Sequence, residues 1–248
     1  MPSTSSSSAA RGTLYLLPVP IAPVAQEEVL PPYNLEVMSR LRHFIVEDER
    51  AARRFLHGVL PALPLGELRY YPIGKHAPRA LYSGYLEPLL GGVDMGLLSE
   101  AGCPAVADPG AVIVALAQER GLRVVPLVGP SSLLLALMAS GSNGQEFSFR
   151  GYLPREPQPL RRRILELERL ARSERATQLF IETPFRARSL FSVLLATLHP
   201  ETLLCVAALL TSPQGYVRTR SVLQWRRLEP PRLLKTPAVF LICSPALT

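Results

Sequence analysis

Residues 93–110 read VDMGLLSEAGCPAVADPG, an apolar run passing into a loop with two Gly/Pro turns, Gly102-Cys103-Pro104 and Asp108-Pro109-Gly110. Val93 to Ser99 reads as a strand, because a short apolar run bounded by turn residues suits a strand covered on both faces. Asp108-Pro109 has the signature of a helix start, a capping carboxylate followed by proline at the first helical position. That helix reaches Arg120 and stops at Gly121. Strand, long loop and helix in that order make a βα unit, and the rest of the chain is read outward from it.

Upstream, Gly12 to Val19 (GTLYLLPV) reads as a buried strand followed by a Pro-rich loop with Pro18, Pro20 and Pro23. Asn34 suits the N-cap of a helix through Arg42. His43 to Asp48 is a strand ending in the acidic cluster Glu47, Asp48 and Glu49, Ala51 to Leu60 a helix, Leu68 to Ile73 a strand and Pro78 to Leu90 a helix. Downstream, Leu122 to Val128 is a strand, and Ser131 caps a helix to Ser140 that Gly141 ends. This alternation implies βαβ units and a largely parallel sheet. Past Gly141 the pattern changes: strands at Glu146 to Leu153, Thr177 to Thr183, Leu203 to Leu210 and Pro237 to Cys243, helices at Pro159 to Ser173 and Pro184 to His199, and hairpin-like stretches near Gln214-Gly215 and Trp225. The reading is two α/β domains, 12–127 and 128–248, the second of mixed strand direction, behind a disordered Ser-rich tail at 1–11.

Composition narrows the function classes. With 248 residues, 48% hydrophobic and 19% charged, the chain is globular rather than disordered. Cys103, Cys205 and Cys243 are odd in number and far apart, which excludes a disulfide scaffold and suits a reducing, cytoplasmic setting. His43, His57, His76 and His199 form no close ligand pair, so no metal site is expected. No run approaches the ~20 apolar residues of a membrane span, and residues 1–11 lack the apolar core of a secretory signal.

Net charge is +7, and it is unevenly placed. Residues 1–149 carry 11 basic and 13 acidic side chains, while residues 150–248 carry 16 basic and 7 acidic. Such asymmetry points to a polyanionic partner for the second half. Its densest run is Arg161, Arg162, Arg163, Arg169, Arg172 and Arg175, of which Arg162, Arg169 and Arg172 share a helix face. Two readings stand: a solvated face paired with Glu166, Glu168 and Glu174, or a nucleic-acid contact exploiting bidentate arginine–phosphate geometry.

In an open α/β sheet, ligands sit beyond the carboxyl ends of the strands. The Ser99–Gly110 loop lets main chain approach a flat ligand, since only Ala101, Ala105 and Ala107 intervene, and it exceeds the usual ~2–6 residues of such connections. Neither G-x-G-x-x-G nor G-x-x-x-x-G-K is present, so a nucleotide cofactor without phosphates fits better than NAD or ATP. Val128-Gly129-Pro130-Ser131-Ser132 offers helix-start N–H groups to an anionic or carbonyl group, with Ser131 also suited to a plain N-cap. Leu17-Pro18-Val19-Pro20-Ile21 has no glycine and reads as a cleft wall. Cys103 has no neighbouring His or Lys and reads as a small cleft residue rather than a nucleophile.

GTLYLLPVPI, the VED of Val46 to Asp48, LLSEAGCPAVADPG, VVPLVGPSSLLLALMASG, FSFRGYLP and LFIETPFRA occur here in that order. In these segments the chain resembles the tetrapyrrole (corrin/porphyrin) methylase superfamily of S-adenosylmethionine-dependent methyltransferases, in particular the branch that 2′-O-methylates a cytidine of small-subunit ribosomal RNA. The resemblance covers about Gly12 to Thr248. It implies the two-domain class III methyltransferase fold, with a parallel-sheet N-terminal domain, a mixed-sheet C-terminal domain, a cofactor cleft between them, and a homodimer. It also implies S-adenosylmethionine against Ser99, Glu100, Ala101, Gly102, Cys103 and Asp108, against Ser131 and Ser132, and near Pro18, Pro20 and Ile21. Tyr152, Leu153 and Ile181 complete the implied pocket, and Arg155, Arg162, Arg169 and Arg172 are the expected RNA contacts.

Two stretches depart from the family pattern. The first loop, usually Thr-Pro-Ile-Gly-Asn-Leu, is here Val19-Pro20-Ile21-Ala22-Pro23-Val24, and a usual Arg-Glu-Leu-Thr-Lys is here Ala208-Leu209-Leu210-Thr211-Ser212. A ribose hydroxyl is a poor nucleophile at neutral pH, so a carboxylate within ~3 Å of it acts as general base. Glu182, just past a strand end, is the expected base and Asp48 the other candidate. Each has a structural alternative, a helix cap for Glu182 and pairing of the Glu47/Asp48 cluster with Arg50 or Arg53. Three functions follow: an RNA methyltransferase, a tetrapyrrole C-methyltransferase, or a cofactor-binding module without turnover.

Overall fold

The computed structural model describes residues 10–74, 77–233 and 235–243; most of the expected tail at 1–11 lies outside them. The chain divides into two compact units, Met1–Pro130 and Ser131–Thr248.

The first unit runs β1 (Thr13–Leu17), α1 (Pro32–Arg40), β2 (His43–Val46), α2 (Glu49–Val59), β3 (Arg69–Pro72), α3 (Glu87–Leu90), β4 (Met95–Leu98), α4 (Gly110–Glu119) and β5 (Arg123–Pro126). All its strand pairs are parallel, in the order β3-β2-β4-β1-β5. Alternate strand residues serve opposite faces, as a period of two requires. Leu17, Phe44, Val46 and Leu98 pack under α1 and α2 with Val37, Met38, Ala52 and Leu56. Leu14, Ile45, Met95 and Leu97 pack on the other face with Leu89, Ile113 and Ala117. Gly96 is the close-packing point of the central strand, since a Cβ there would lie 2.5 Å from Leu17 Cδ1.

Two expectations need correction. Asn34 is not a cap: α1 starts two residues earlier at Pro32, and Asn34 is buried inside it, its Nδ2 donating to Val128 O at 2.8 Å. The single helix expected over 78–90 is two 3₁₀ turns (Arg79–Leu81, Gly84–Leu86) leading into the one-turn α3. Gly84, Pro88 and the two tyrosines Tyr82 and Tyr85 leave too few good helix formers there for a continuous α-helix.

The second unit runs α5 (Ser132–Ser140), β6 (Phe147–Tyr152), α6 (Pro157–Ser173), β7 (Thr177–Glu182), α7 (Ala187–Thr197), β8 (Leu203–Ala208), β9 (Tyr216–Ser221), α8 (Val222–Trp225) and β10 (Ala238–Cys243). Its sheet order is β6-β7-β10-β8-β9, with β6 and β7 parallel and the other pairs antiparallel. Along β10, Ala238, Phe240 and Ile242 face the cluster built with α6 and α7, while Val239, Leu241 and Cys243 face Ala136 and Leu137 of α5. Trp225, expected in a hairpin, lies in α8; its indole N–H donates to Leu204 O and its ring meets Phe191 edge-on. The Ala208–Ser212 stretch leaves β8 as a tight turn, with Leu209 and Thr211 at φ of 52° and 71° and Ser212 Oγ donating to Leu209 O.

Candidate functional site

The topology locates the site of the first unit. β1 leads to α1 on one face of the sheet, and its neighbour β4 leads to α4 on the other. Adjacent strands whose connections leave for opposite faces create a crevice at their carboxyl ends. Because the sheet is parallel, the loops after β1, β2, β4 and β5 all emerge at that edge.

There the loops after β1 and β4 grip each other through a two-bond antiparallel bridge, Val19 N to Gly102 O at 3.0 Å and Gly102 N to Val19 O at 2.8 Å. Ser99, nearly buried, donates from Oγ to Gly102 O at 3.1 Å, and Gly102 sits at φ 77°, where a Cβ would lie 3.3 Å from Ile21 Cγ2. Cys103 points its thiol toward Pro130 O at 3.5 Å, and burial pushes that thiol's pKa up, as suits a packing residue rather than a nucleophile. Gly129 is required by Pro18, since a Cβ at 129 would lie 2.2 Å from Pro18 Cβ. Pro18 and Gly102 are buried, Pro20, Ile21 and Cys103 half-buried, and Glu100 and Ala101 open to solvent.

Asp108 organises the loop's far end. Its Oδ1 accepts from Ala105 N at 2.9 Å and Gly110 N at 2.7 Å at the start of α4, but the helix begins one residue later than expected, at Gly110, with Pro109 and not Asp108 in the cap position. Ala105 and Ala107 lie in the left-handed region, φ 66° and 63°, at a cost of roughly 1–2 kcal/mol each. Asp108 Oδ2 is buried without a hydrogen-bond partner among the described residues, and burial raises the group's pKa. A small-sided loop with strained backbone and an orphaned carboxylate oxygen fits a ligand carrying hydroxyl or amino donors.

Glu47 was not singled out from sequence. Because β2 ends at Val46, in register with Leu98, Glu47 is the first residue past the edge beside the Ser99 loop. Half-burial, then the charges of Asp108 and Glu100, lift its pKa to about 7, partly offset by a hydrogen bond from the Glu100 main chain. Its neighbour Asp48 spends its carboxylate on the α2 cap, Oδ1 accepting from Ala51 N at 2.6 Å. Arg53 pairs with Glu49 at 2.8 Å and lies over the Tyr70 ring, so it is not the partner of Glu47 or Asp48.

In the second unit, Ser131 caps α5, its Oγ accepting from Leu134 N at 3.5 Å, and Ser132 opens that helix. Tyr152 is 56% exposed at the end of β6, whereas Leu153 is buried in the core beside α6 and Ile181 packs on the α5 side. Glu182 has a fully buried side chain: Oε1 accepts from Thr183 N at 2.7 Å and Thr183 Oγ1 at 3.1 Å, and Oε2 lies 3.3 Å from Arg186 Nη1. Arg155, Arg162 and Arg169 are exposed on and before α6. Arg172 is tied back, 3.7 Å from Glu168 Oε1 and donating to Thr202 Oγ1 at 3.0 Å.

Among the described residues, no group of His, Cys, Asp or Glu is placed to hold a metal ion, and no helix is long and apolar enough to cross a membrane.

No protein-family profile matches the chain. Curated relatives do. A "Ribosomal RNA small subunit methyltransferase I" of Vibrio cholerae is 30% identical over 174 residues, 70% of this chain and 56% of that one. Its Pseudomonas aeruginosa counterpart is 31% identical across 71% of this chain and 58% of its own length. The protein of that name from Synechocystis is 30% identical over 200 residues, 81% of this chain and 67% of the relative. The chain thus spans less than two thirds of the first two relatives. Among solved structures, the methyltransferase CobJ superposes with a TM-score of 0.59 at 16% identity, over 95% of this chain and 94% of that one. Uroporphyrin-III-C-methyltransferase from Thermus thermophilus gives 0.54 at 20% identity, covering 94% and 93%. At those identities the two structures establish the shared fold. The sequence relationship establishes that the chain belongs to the ribosomal RNA small subunit methyltransferase I family.

Proposed function

We propose that this chain is an S-adenosylmethionine-dependent methyltransferase acting on a ribose 2′-hydroxyl of small-subunit ribosomal RNA. The observation that carries the reading is the clasp at the β1/β4 crevice, where the Val19–Gly102 bridge and the Ser99 and Asp108 bonds pre-form a small-sided loop. The names of the curated relatives supply the substrate class. A cytoplasmic homodimer belongs to the same reading.

S-adenosylmethionine supplies an activated sulfonium methyl, so the protein's part is placement, exclusion of water and management of one proton. The Ser99–Cys103 main chain and the Asp108 carboxylate would hold S-adenosylmethionine, and Pro18, Pro20 and Ile21 would wall it. In this reading the proton acceptor is Glu47, whose pKa of about 7 lets it take a hydroxyl proton at physiological pH. Glu182, with one oxygen on Thr183 and the other beside Arg186, fixes the turn after β7.

The test is transfer of labelled methyl to small-subunit RNA from a strain lacking the activity, with nucleoside mass spectrometry locating the methyl. The expected product is a 2′-O-methylnucleoside, formed at a rate that rises with pH through about 7 and is lost in Glu47→Gln. Labelled tetrapyrrole with unlabelled RNA overturns the substrate. Cofactor binding without turnover on either overturns the activity.

A further inference from the structure

A second concavity adjoins the clasp and shares Val19 and Pro20 with it. Between the segment 19–27 and α2 there is a cavity of about 480 Å³. Its walls are apolar, with Pro20, Pro23, Phe55 and Val59, and its rim is polar, with Gln26, Glu27 and Arg54. This is where the first loop departs from the family pattern.

We propose that this groove docks one unpaired, amino-bearing nucleotide of the RNA substrate, an inference resting on the RNA-methyltransferase reading. Proteins read single-stranded RNA by taking a splayed base onto apolar and aromatic side chains while cations hold its phosphate. The volume lies within the ordinary range for small-ligand sites, ~300–1,000 Å³. Phe55 offers an aromatic ring, and Pro20 and Pro23 offer rigid apolar surfaces that cost little entropy to use.

The polar rim favours the same occupant. Arg54 is exposed and makes no ion pair or hydrogen bond among the described residues, and Arg50 stands one turn before it on the same face of α2. Arg53 beside Arg54 is used internally by Glu49 and Leu65 O, so the chain leaves the arginine that lines the groove free and ties down its neighbour. On the other rim, Gln26 Nε2 donates to Glu27 Oε1 at 3.2 Å. That bond leaves the Gln26 carbonyl and a Glu27 oxygen as acceptors, which suit an exocyclic amino group and not the carbonyl that uracil presents there.

Gly58 supports the assignment. It lies in the last turn of α2 and lines the cavity, and a Cβ there meets nothing within 4 Å. No packing demands glycine at a helical position where most residues are more favourable. What a side chain at 58 would occupy is the groove itself.

Gly58→Leu therefore separates stability from binding. The variant should fold with an unchanged or raised Tm and bind S-adenosylmethionine as the parent does. Its affinity for cytidine-containing single-stranded RNA, read by fluorescence anisotropy with a labelled hexacytidine, should fall about 10-fold, the loss expected when one stacked base and its phosphate contact go. Arg54→Glu should give a similar loss, and hexauridine should bind the parent more weakly than hexacytidine. Ultraviolet cross-linking should attach the RNA to peptides spanning 19–27 or 54–59. Unchanged RNA affinity in Gly58→Leu overturns the proposal while parental methyl transfer to RNA leaves the wider reading intact. A loss of cofactor affinity instead makes the groove part of the cofactor site and overturns it equally. A parent that binds no RNA overturns both.

Discussion

Glu47 shows how much of a site is decided by one residue's surroundings. The sequence presents three acidic side chains in a row, and only the end of β2 at Val46 decides that Glu47 faces the crevice edge while Asp48 caps α2 and Glu49 pairs with Arg53. Burial and the neighbouring Asp108 and Glu100 charges disfavour its ionised form, raising its pKa from 4.5 to about 7. A carboxylate with a raised folded pKa stabilises the fold fully below its unfolded pKa, and that contribution is lost as pH climbs through the folded value. Parental stability should decline between about pH 4.5 and 7 on this account. Glu47→Gln should remove that slope. Because the group is half-exposed, screening reduces the effect well below the full shift, to on the order of 1 kcal/mol. Urea denaturation at pH 5 and pH 8 checks this: the variant should gain relative to the parent only at pH 8. An equal difference at both values would show that Glu47 ionises freely.

At the scale of elements, the parallel strands of the first unit were readable because each is a short apolar run closed by turn residues and followed by a helix start. Helix starts near Asp108 and at Ser131 were written in chemistry that survives any context, a side-chain oxygen offered to an N–H, whereas the Asp48 cap of α2 was not read from the sequence. What sequence did not show was tertiary. Asn34 looks like a cap until Val128 O is found beside it, and no local rule places Ala105 at positive φ, where its N–H is held by Asp108 from three residues away. Glu168 is the corresponding case in the second unit: read as a surface partner of the arginine run, it is buried and accepts from His199 N at 2.8 Å and from Thr202 Oγ1, fastening α6 to the turn before β8. Glu168→Ala should leave those donors unsatisfied and cost roughly 2–4 kcal/mol, whereas Glu168→Gln, which keeps an acceptor oxygen, should cost less. Arg172→Ala, removing a cation more than half exposed, should cost under about 1 kcal/mol. Thermal denaturation of the three variants orders them. A large loss in Arg172→Ala would show that the ion pair, not the buried acceptor, holds the corner.

Across the whole molecule the arginines divide by what they already hold. Arg172 is engaged with Glu168 and Thr202, Arg163 with Glu166 at 2.7 Å, Arg186 with Glu182 and Pro154 O, and Arg226 with Leu195 O. Arg155, Arg162 and Arg169 have no ion pair or hydrogen bond among the described residues and stand exposed, so their charge is available to a partner. If phosphates take up that charge, binding releases counterions, and the logarithm of affinity falls with the logarithm of salt by ~0.7 per neutralised phosphate on a single strand and ~0.9 on a duplex. Replacing all three by alanine should therefore lower the magnitude of the salt slope by about 2–3. Arg172→Ala should change it by much less, because its guanidinium is tied to the protein's own carboxylate. A titration of small-subunit RNA between about 50 and 200 mM salt spans the range in which such contacts are visible. Equal slopes for the parent and the triple variant would place the RNA contacts elsewhere and make the basic excess of residues 150–248 a property of composition. A slope that falls with Arg172→Ala as steeply as with any one of the free arginines would mean that RNA displaces Glu168 from its partner, coupling substrate binding to the α6 corner.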